Sequence, residues 1–160
     1  MTNISGASRQ GEAEKERIYF ELALRYVPAS LLETTKRAIS LYDAGEVNSA
    51  RQIIFETKTS FLNNMPKGDE NPQATALTSA EYNAIECVYR IIFGYGIEPG
   101  KVSSVHSALC YAHAWNRASA SATQTALRVY AGPGDALLIR YPLPAEFLDA
   151  LGLRSPDDDD

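Results

Sequence analysis

Residues 78–96 read TSAEYNAIECVYRIIFGYG, and the fold turns on this string. Ile85, Val88, Ile92 and Tyr95 recur at the spacing that places side chains on one face of an α-helix. The other positions are apolar nearly all round, a pattern that a helix carries when it lies at the centre of a fold. Thr78 with Glu81 reads as a capping box at its start, and Gly96 ends the periodicity. This predicts a buried central helix with others packed about it.

Working outward, the same period runs through most of the first 130 positions. Toward the N-terminus, a segment from about Glu12 to Val27 carries Ile18, Tyr19, Leu22, Ala23 and Tyr26 on one stripe and stops at Pro28. Ser30 with Glu33 reads as a second capping box, opening a helix with Leu31, Ile39 and Tyr42 inward and Gly45 as its stop. A third helix carries Val47, Ala50, Ile53, Ile54 and Phe61 and ends at Asn63 to Pro66. From Pro66 to Ala76 the composition is that of a solvated connection. Beyond the turn at Pro99 and Gly100, Ser103 or Ser104 caps a fifth helix reaching about Arg117, and Ala122 to Ala131 makes a short sixth. Asp135 to Tyr141 reads equally as a strand or a helical turn, and Pro144 opens a last short helix closed by Gly152. The expectation is an all-α bundle of about six to eight helices forming one domain over 1–154, with an acidic disordered tail at 155–160.

Composition narrows the function classes. The chain has 160 residues, 45% hydrophobic and 22% charged, which suits one compact domain. Its formal charge of −5 includes the four acids Asp157 to Asp160, so the body is close to neutral. Without a basic excess there is no electrostatic footprint for nucleic acid or an anionic membrane surface. Met1 to Arg17 is polar, and nowhere do 18 apolar residues run together, so neither a signal peptide nor a membrane span is expected and the location reads as cytoplasmic. Two cysteines, Cys87 and Cys110, make neither a disulfide framework nor a four-cysteine zinc site.

Chemistry concentrates on the fifth helix. His106, Cys110 and His113 stand at i, i+4 and i+7 within a narrow arc, and imidazole and thiolate are the usual ligands for a metal or a cofactor iron. No carboxylate on this helix completes a zinc tetrahedron. The same side chains also suit the edge of a core, since the arc borders Val102, Val105, Leu109 and Ala112. Cys110 as a nucleophile would need a separately oriented base and a depressed thiol pKa.

Two strings resemble the phycobiliproteins, globin-like light-harvesting subunits. One is Ile53-Ile54-Phe55-Glu56 followed by Phe61-Leu62-Asn63-Asn64-Met65-Pro66. The other is Tyr89-Arg90-Ile91-Ile92-Phe93-Gly94-Tyr95-Gly96-Ile97, with Gly100 and Val102 beyond. A fainter likeness continues through Thr123 to Tyr130, so the resemblance spans about Leu31 to Ala131. The family's bilin-attachment motif, Cys-x-Arg-Asp, is missing: the corresponding stretch reads Tyr82-Asn83-Ala84-Ile85. Cys87, five residues on, faces elsewhere on the helix. The resemblance implies a globin-like bundle that binds haem or a linear bilin without a thioether bond, or an antenna-type subunit with no chromophore, and no enzyme activity. It places His106, His113, Cys110, Tyr82, Ile85 and Tyr89 at the tetrapyrrole, with His106 the preferred haem-iron ligand. It also implies pairing with a second copy or a paralogous subunit through Tyr19, Leu22, Tyr26 and Arg90. The rival expectation, from the helical stripes alone, is a cofactor-free interaction or regulatory module.

Overall fold

The computed structural model describes residues 2–65, 71–95 and 104–153, with side chains in the first helix from residue 13 onward. Among the described residues there are eight helices and no strand. They are α1 (Thr2–Leu24), α2 (Ala29–Asp43), α3 (Val47–Asn63), α4 (Pro72–Ile92), α5 (Ser104–Ser121), α6 (Gln124–Tyr130), α7 (Ala136–Arg140) and α8 (Ala145–Ala150). The all-α expectation therefore holds. The stop at Gly96, the turn at Pro99 and Gly100, Pro66 and the acidic run from Asp157 lie outside the described residues.

α4 and α5 form the main seam. They run antiparallel: Arg90 reaches the carbonyl of Ser104 at one end, while Ala76 packs with Ala114 and Ala118 at the other. Ala76, Ala80 and Ala84 on α4 and Ala108, Ala112 and Ala118 on α5 are all buried, and side chains this small let two helix axes approach closely. Ile85, Val88, Ile92, Val105 and Leu109 fill the central core. Burying each of these side chains contributes roughly 1.5–3 kcal/mol. α2 and α3 form a hairpin over Gly45, whose φ of +85° is the left-handed turn that ends α2. α3 then packs on α4, and α1 lies across α4 and α5. A smaller cluster of Ala76, Ala114, Ala118, Leu127 and Leu137 closes the far end, and Phe147 of α8 returns to the main core.

Several helix starts differ from the sequence reading. α4 begins six residues before Thr78, at Pro72, because Asn71 caps it: its side-chain oxygen accepts the amides of Gln73 at 3.0 Å and Ala74 at 3.3 Å. Thr78 and Glu81 are therefore interior, and the Thr78 hydroxyl donates to the Ala74 carbonyl within the helix. The connection read up to Ala76 is correspondingly shorter. Ser30 and Glu33 do not form a box, since Pro28 occupies the N-cap of α2 and makes no side-chain cap bond. α1 starts at Thr2 rather than near Glu12; its first ten residues carry no apolar stripe, so periodicity is silent there. α5 runs on to Ser121, where the Ser121 hydroxyl donates to the Arg117 carbonyl. The ambiguous segment after Gly134 is the helical turn α7.

Candidate functional site

α1 is tied to α5 by two matched rungs. The Tyr19 hydroxyl lies 2.9 Å from Nδ1 of His106, and the Tyr26 hydroxyl lies 2.8 Å from Nδ1 of His113. Both partners advance by seven residues in the same direction, so the two segments run parallel here, with rungs roughly 10 Å apart along the helix. With Nε2 carrying the ring proton, each hydroxyl donates to Nδ1. Burial holds both tyrosine hydroxyls protonated by raising their pKa values, and it lowers both imidazoles below the ordinary histidine value. Arg117 lowers His113 further. His113 also meets the edge of Phe147 at 5.5 Å, with the Arg25 guanidinium 5.0 Å over the other ring.

Cys110 lies between the two histidines on α5, half-buried, and burial pushes its thiol up to about 11. Cys87 on α4 is fully buried and also shifted up. Both shifts oppose thiolate formation, which a nucleophilic cysteine requires. Among the described residues no three His, Cys, Asp or Glu side chains converge as a metal-binding group.

The six residues expected at a tetrapyrrole occupy two separate places. His106 and His113 face α1. Tyr82 and Tyr89 face α3: Tyr82 tilts against Phe61 at 6.3 Å, and the Lys58 ammonium lies over the Tyr89 ring at 4.1 Å. Ile85 is wholly inside the core. Tyr26 bonds Nδ1 of His113, and the Phe147 ring packs against the imidazole. The four residues expected at a subunit interface also serve this chain's own packing. Tyr19 and Leu22 are buried, Tyr26 holds His113, and Arg90 is bound by Glu86 and by Ser104.

Sequence reasoning missed Arg51, Lys58 and Glu86, which lie along the α3–α4 seam with the already named Tyr82 and Tyr89. Arg51, Phe55, Lys58 and Leu62 fall within one narrow arc of α3, and Tyr82, Glu86, Tyr89 and Phe93 fall on the matching arc of α4. The pairs run antiparallel, Arg51 with Phe93, Lys58 with Glu86 and Tyr89, Phe61 with Tyr82. Glu86 is a buried carboxylate held by two cations. Oε2 accepts from Nε of Arg90 at 2.7 Å, and Oε1 faces the Lys58 ammonium as an ion pair rather than through an aligned hydrogen bond. Burial disfavours the Lys58 charge, but the ion pair with Glu86 outweighs it, and the net shift of Lys58 is upward. Its ammonium also sits 4.1 Å over the Tyr89 ring. Arg51 lies 5.5 Å over Phe93 and donates to the Ile92 carbonyl at 3.1 Å, closing the end of α4. A glutamate within the otherwise apolar run Ile85 to Val88 was the available signal, since such a charge implies a buried partner.

Outside this seam the stripe turns to solvent with its apolar members uncovered. Phe55 is 54% exposed and Leu62 45%; Tyr95, past the end of α4, is 52% exposed. No family model, curated protein or solved structure matches the chain. No described helix is long and apolar enough to cross a membrane.

Proposed function

We propose that the chain is a cofactor-free helical interaction module whose contact face is the outer α3–α4 surface. The observation that carries this is the Phe55 and Leu62 pair, one stripe of α3 left largely open beside the stacked Tyr89–Phe93 rings and Tyr95. Aromatic anchors with arginine and little mobile charge are the composition of an interface centre. Arg51 and Lys58 are already fixed by Ile92 and Glu86, so little side-chain freedom remains to be lost on binding.

A second copy of the chain is the simplest partner. Sedimentation velocity over a wide concentration series is expected to show a reversible dimer, weakened at least tenfold by Phe55→Ser with Leu62→Ser. The double variant should keep its helical content, because both side chains are open. A native chain that stays monomeric throughout, or a dimer indifferent to the substitutions, refutes the homotypic form of the reading. The tetrapyrrole reading, with its globin-like arrangement and phycobiliprotein ancestry, is the rival. It rests on the resemblance and on two imidazoles, His106 half-buried and His113 buried, and it requires α1 to yield around Tyr26. Absorbance titration with haem and with a linear bilin separates the two: a saturable shift lost in His106→Ala or His113→Ala favours the rival.

A further inference from the structure

A cavity of about 420 Å³ lies where α2 begins, α3 ends and α4 passes. This volume is in the range of small-molecule sites. Pro28, Leu31, Phe61 and Met65 supply apolar wall, and Ser30, Ser60 and Thr78 supply hydroxyls. Glu81 is the cavity's one ionisable lining residue among the described residues.

Glu81 differs from the partnered acids of this fold. Glu86, on the same helix, is neutralised by Lys58 and Arg90, Glu56 accepts from Gln52, and Glu16 accepts from Tyr42. Among the described residues Glu81 has no such partner; it is half-buried, and burial alone raises its pKa. α2 presents its amide pole here and α3 its carbonyl pole, so the two helix dipoles roughly offset and the carboxylate sets the sign of the site. A half-buried carboxylate without a cation gains most from a ligand that brings one. The neighbouring Phe61 ring, itself against Tyr82, adds a π face suited to an organic cation.

We propose that this cavity binds a small organic ammonium ion bearing an apolar group, with Glu81 as its counter-charge and Phe61 beside its apolar body. The hydroxyl of Thr78 is already donating to Ala74, so its oxygen remains an acceptor for the ammonium. A shallower trough adjoins the cavity through Leu31 and Ser60 and carries Arg37 and Glu56; these are the charged groups outside the cavity that face the same α2–α3 groove.

The test uses phenethylammonium as the probe, with 2-phenylethanol and 3-phenylpropionate as its neutral and anionic counterparts, followed by amide NMR shifts. The ammonium is expected to saturate, shifting the amides of Ser30, Leu31, Phe61 and Glu81, and to bind about tenfold tighter than the alcohol. Glu81→Gln is expected to abolish that preference while leaving weak alcohol binding. On the native chain the preference should also fade on acidification as Glu81 takes up a proton, which gives the same test without a substitution. Equal binding of the three probes, a Glu81→Gln variant that keeps the preference, or no saturable shift overturns the proposal.

Discussion

Lys58→Met is expected to cost the fold about 3 kcal/mol and Glu86→Gln distinctly less, an asymmetry set by burial. The Glu86 side chain is 6% exposed, against 22% for Lys58 and 29% for Arg90. Removing Lys58 leaves a carboxylate that cannot turn toward water, with Oε1 against a methyl group and only Oε2 still bound by Arg90. Breaking a buried pair this way costs roughly 3–5 kcal/mol, and the surviving Arg90 bond places the value at the lower end. Removing the carboxylate charge instead leaves two cations on long stems that can rotate outward. Lys58 keeps the Tyr89 ring at 4.1 Å, so the loss is roughly 1 kcal/mol. Replacing both residues by Met removes the stranded charge and should recover most of the Lys58→Met loss. Urea melts followed by far-ultraviolet circular dichroism give the three values, provided the m-value is unchanged. In a separate thermal melt, the Lys58→Met Tm should fall by roughly 6–12 °C for a chain of this length. A Lys58→Met cost below about 1 kcal/mol, or a larger cost for Glu86→Gln, would show that the carboxylate reaches solvent and refute the reasoning.

The tyrosine–histidine rungs give a second test: Tyr19→Phe and Tyr26→Phe should each cost about 1–2 kcal/mol by leaving an Nδ1 unpaired, and should add within about 0.5 kcal/mol because the rungs are two helical turns apart. Neutral substitutions would mean that ring packing alone holds α1. The same histidines set a pH dependence. Their folded pKa values lie below the unfolded value of 6.5, so the unfolded chain takes up protons first and the urea midpoint should fall as pH drops below 6.5, levelling once the folded histidines are protonated. Glu81, shifted up, acts oppositely in the carboxylate range, so the series is read above that range; a flat midpoint would sink the assignment. Cys110, with its thiol near 11, should react with iodoacetamide at least about tenfold more slowly in the native chain than in urea at pH 8, and equal rates would contradict its burial.

What was legible in the sequence was local. The all-α class, the stop of α2 at Gly45 and the end of α3 at Asn63 follow from periodicity and glycine stereochemistry, which act over a few residues. The start of α4 was misplaced for a physical reason: a Thr-x-x-Glu spacing describes a capping box only when the preceding residues are non-helical, and Asn71-Pro72 supplies a stronger start upstream. Tyr19 and Leu22 illustrate a different point. An apolar stripe announces that something covers it, and α4 and α5 of the same chain do so here.

Partner choice is the non-local part, yet part of it was written in register. Tyr19 and Tyr26 are seven residues apart, as are His106 and His113, and seven residues return a helix nearly to the same face. Two polar pairs with one common spacing can satisfy each other only if their segments lie side by side and parallel, and in this fold they do. The equal spacing therefore held a testable pairing between segments 87 residues apart, whereas the seven-residue arc from His106 to His113 taken alone suggested a ligand set. For Glu86 the corresponding clue was incomplete. Its presence in an apolar run demands a buried cation, and Arg90 at i+4 is visible from spacing, but Lys58 enters only through the antiparallel alignment of α3 on α4. That alignment also leaves Phe55 and Leu62 facing outward, so the seam that neutralises Glu86 and the face we propose for a partner are two sides of one helical register.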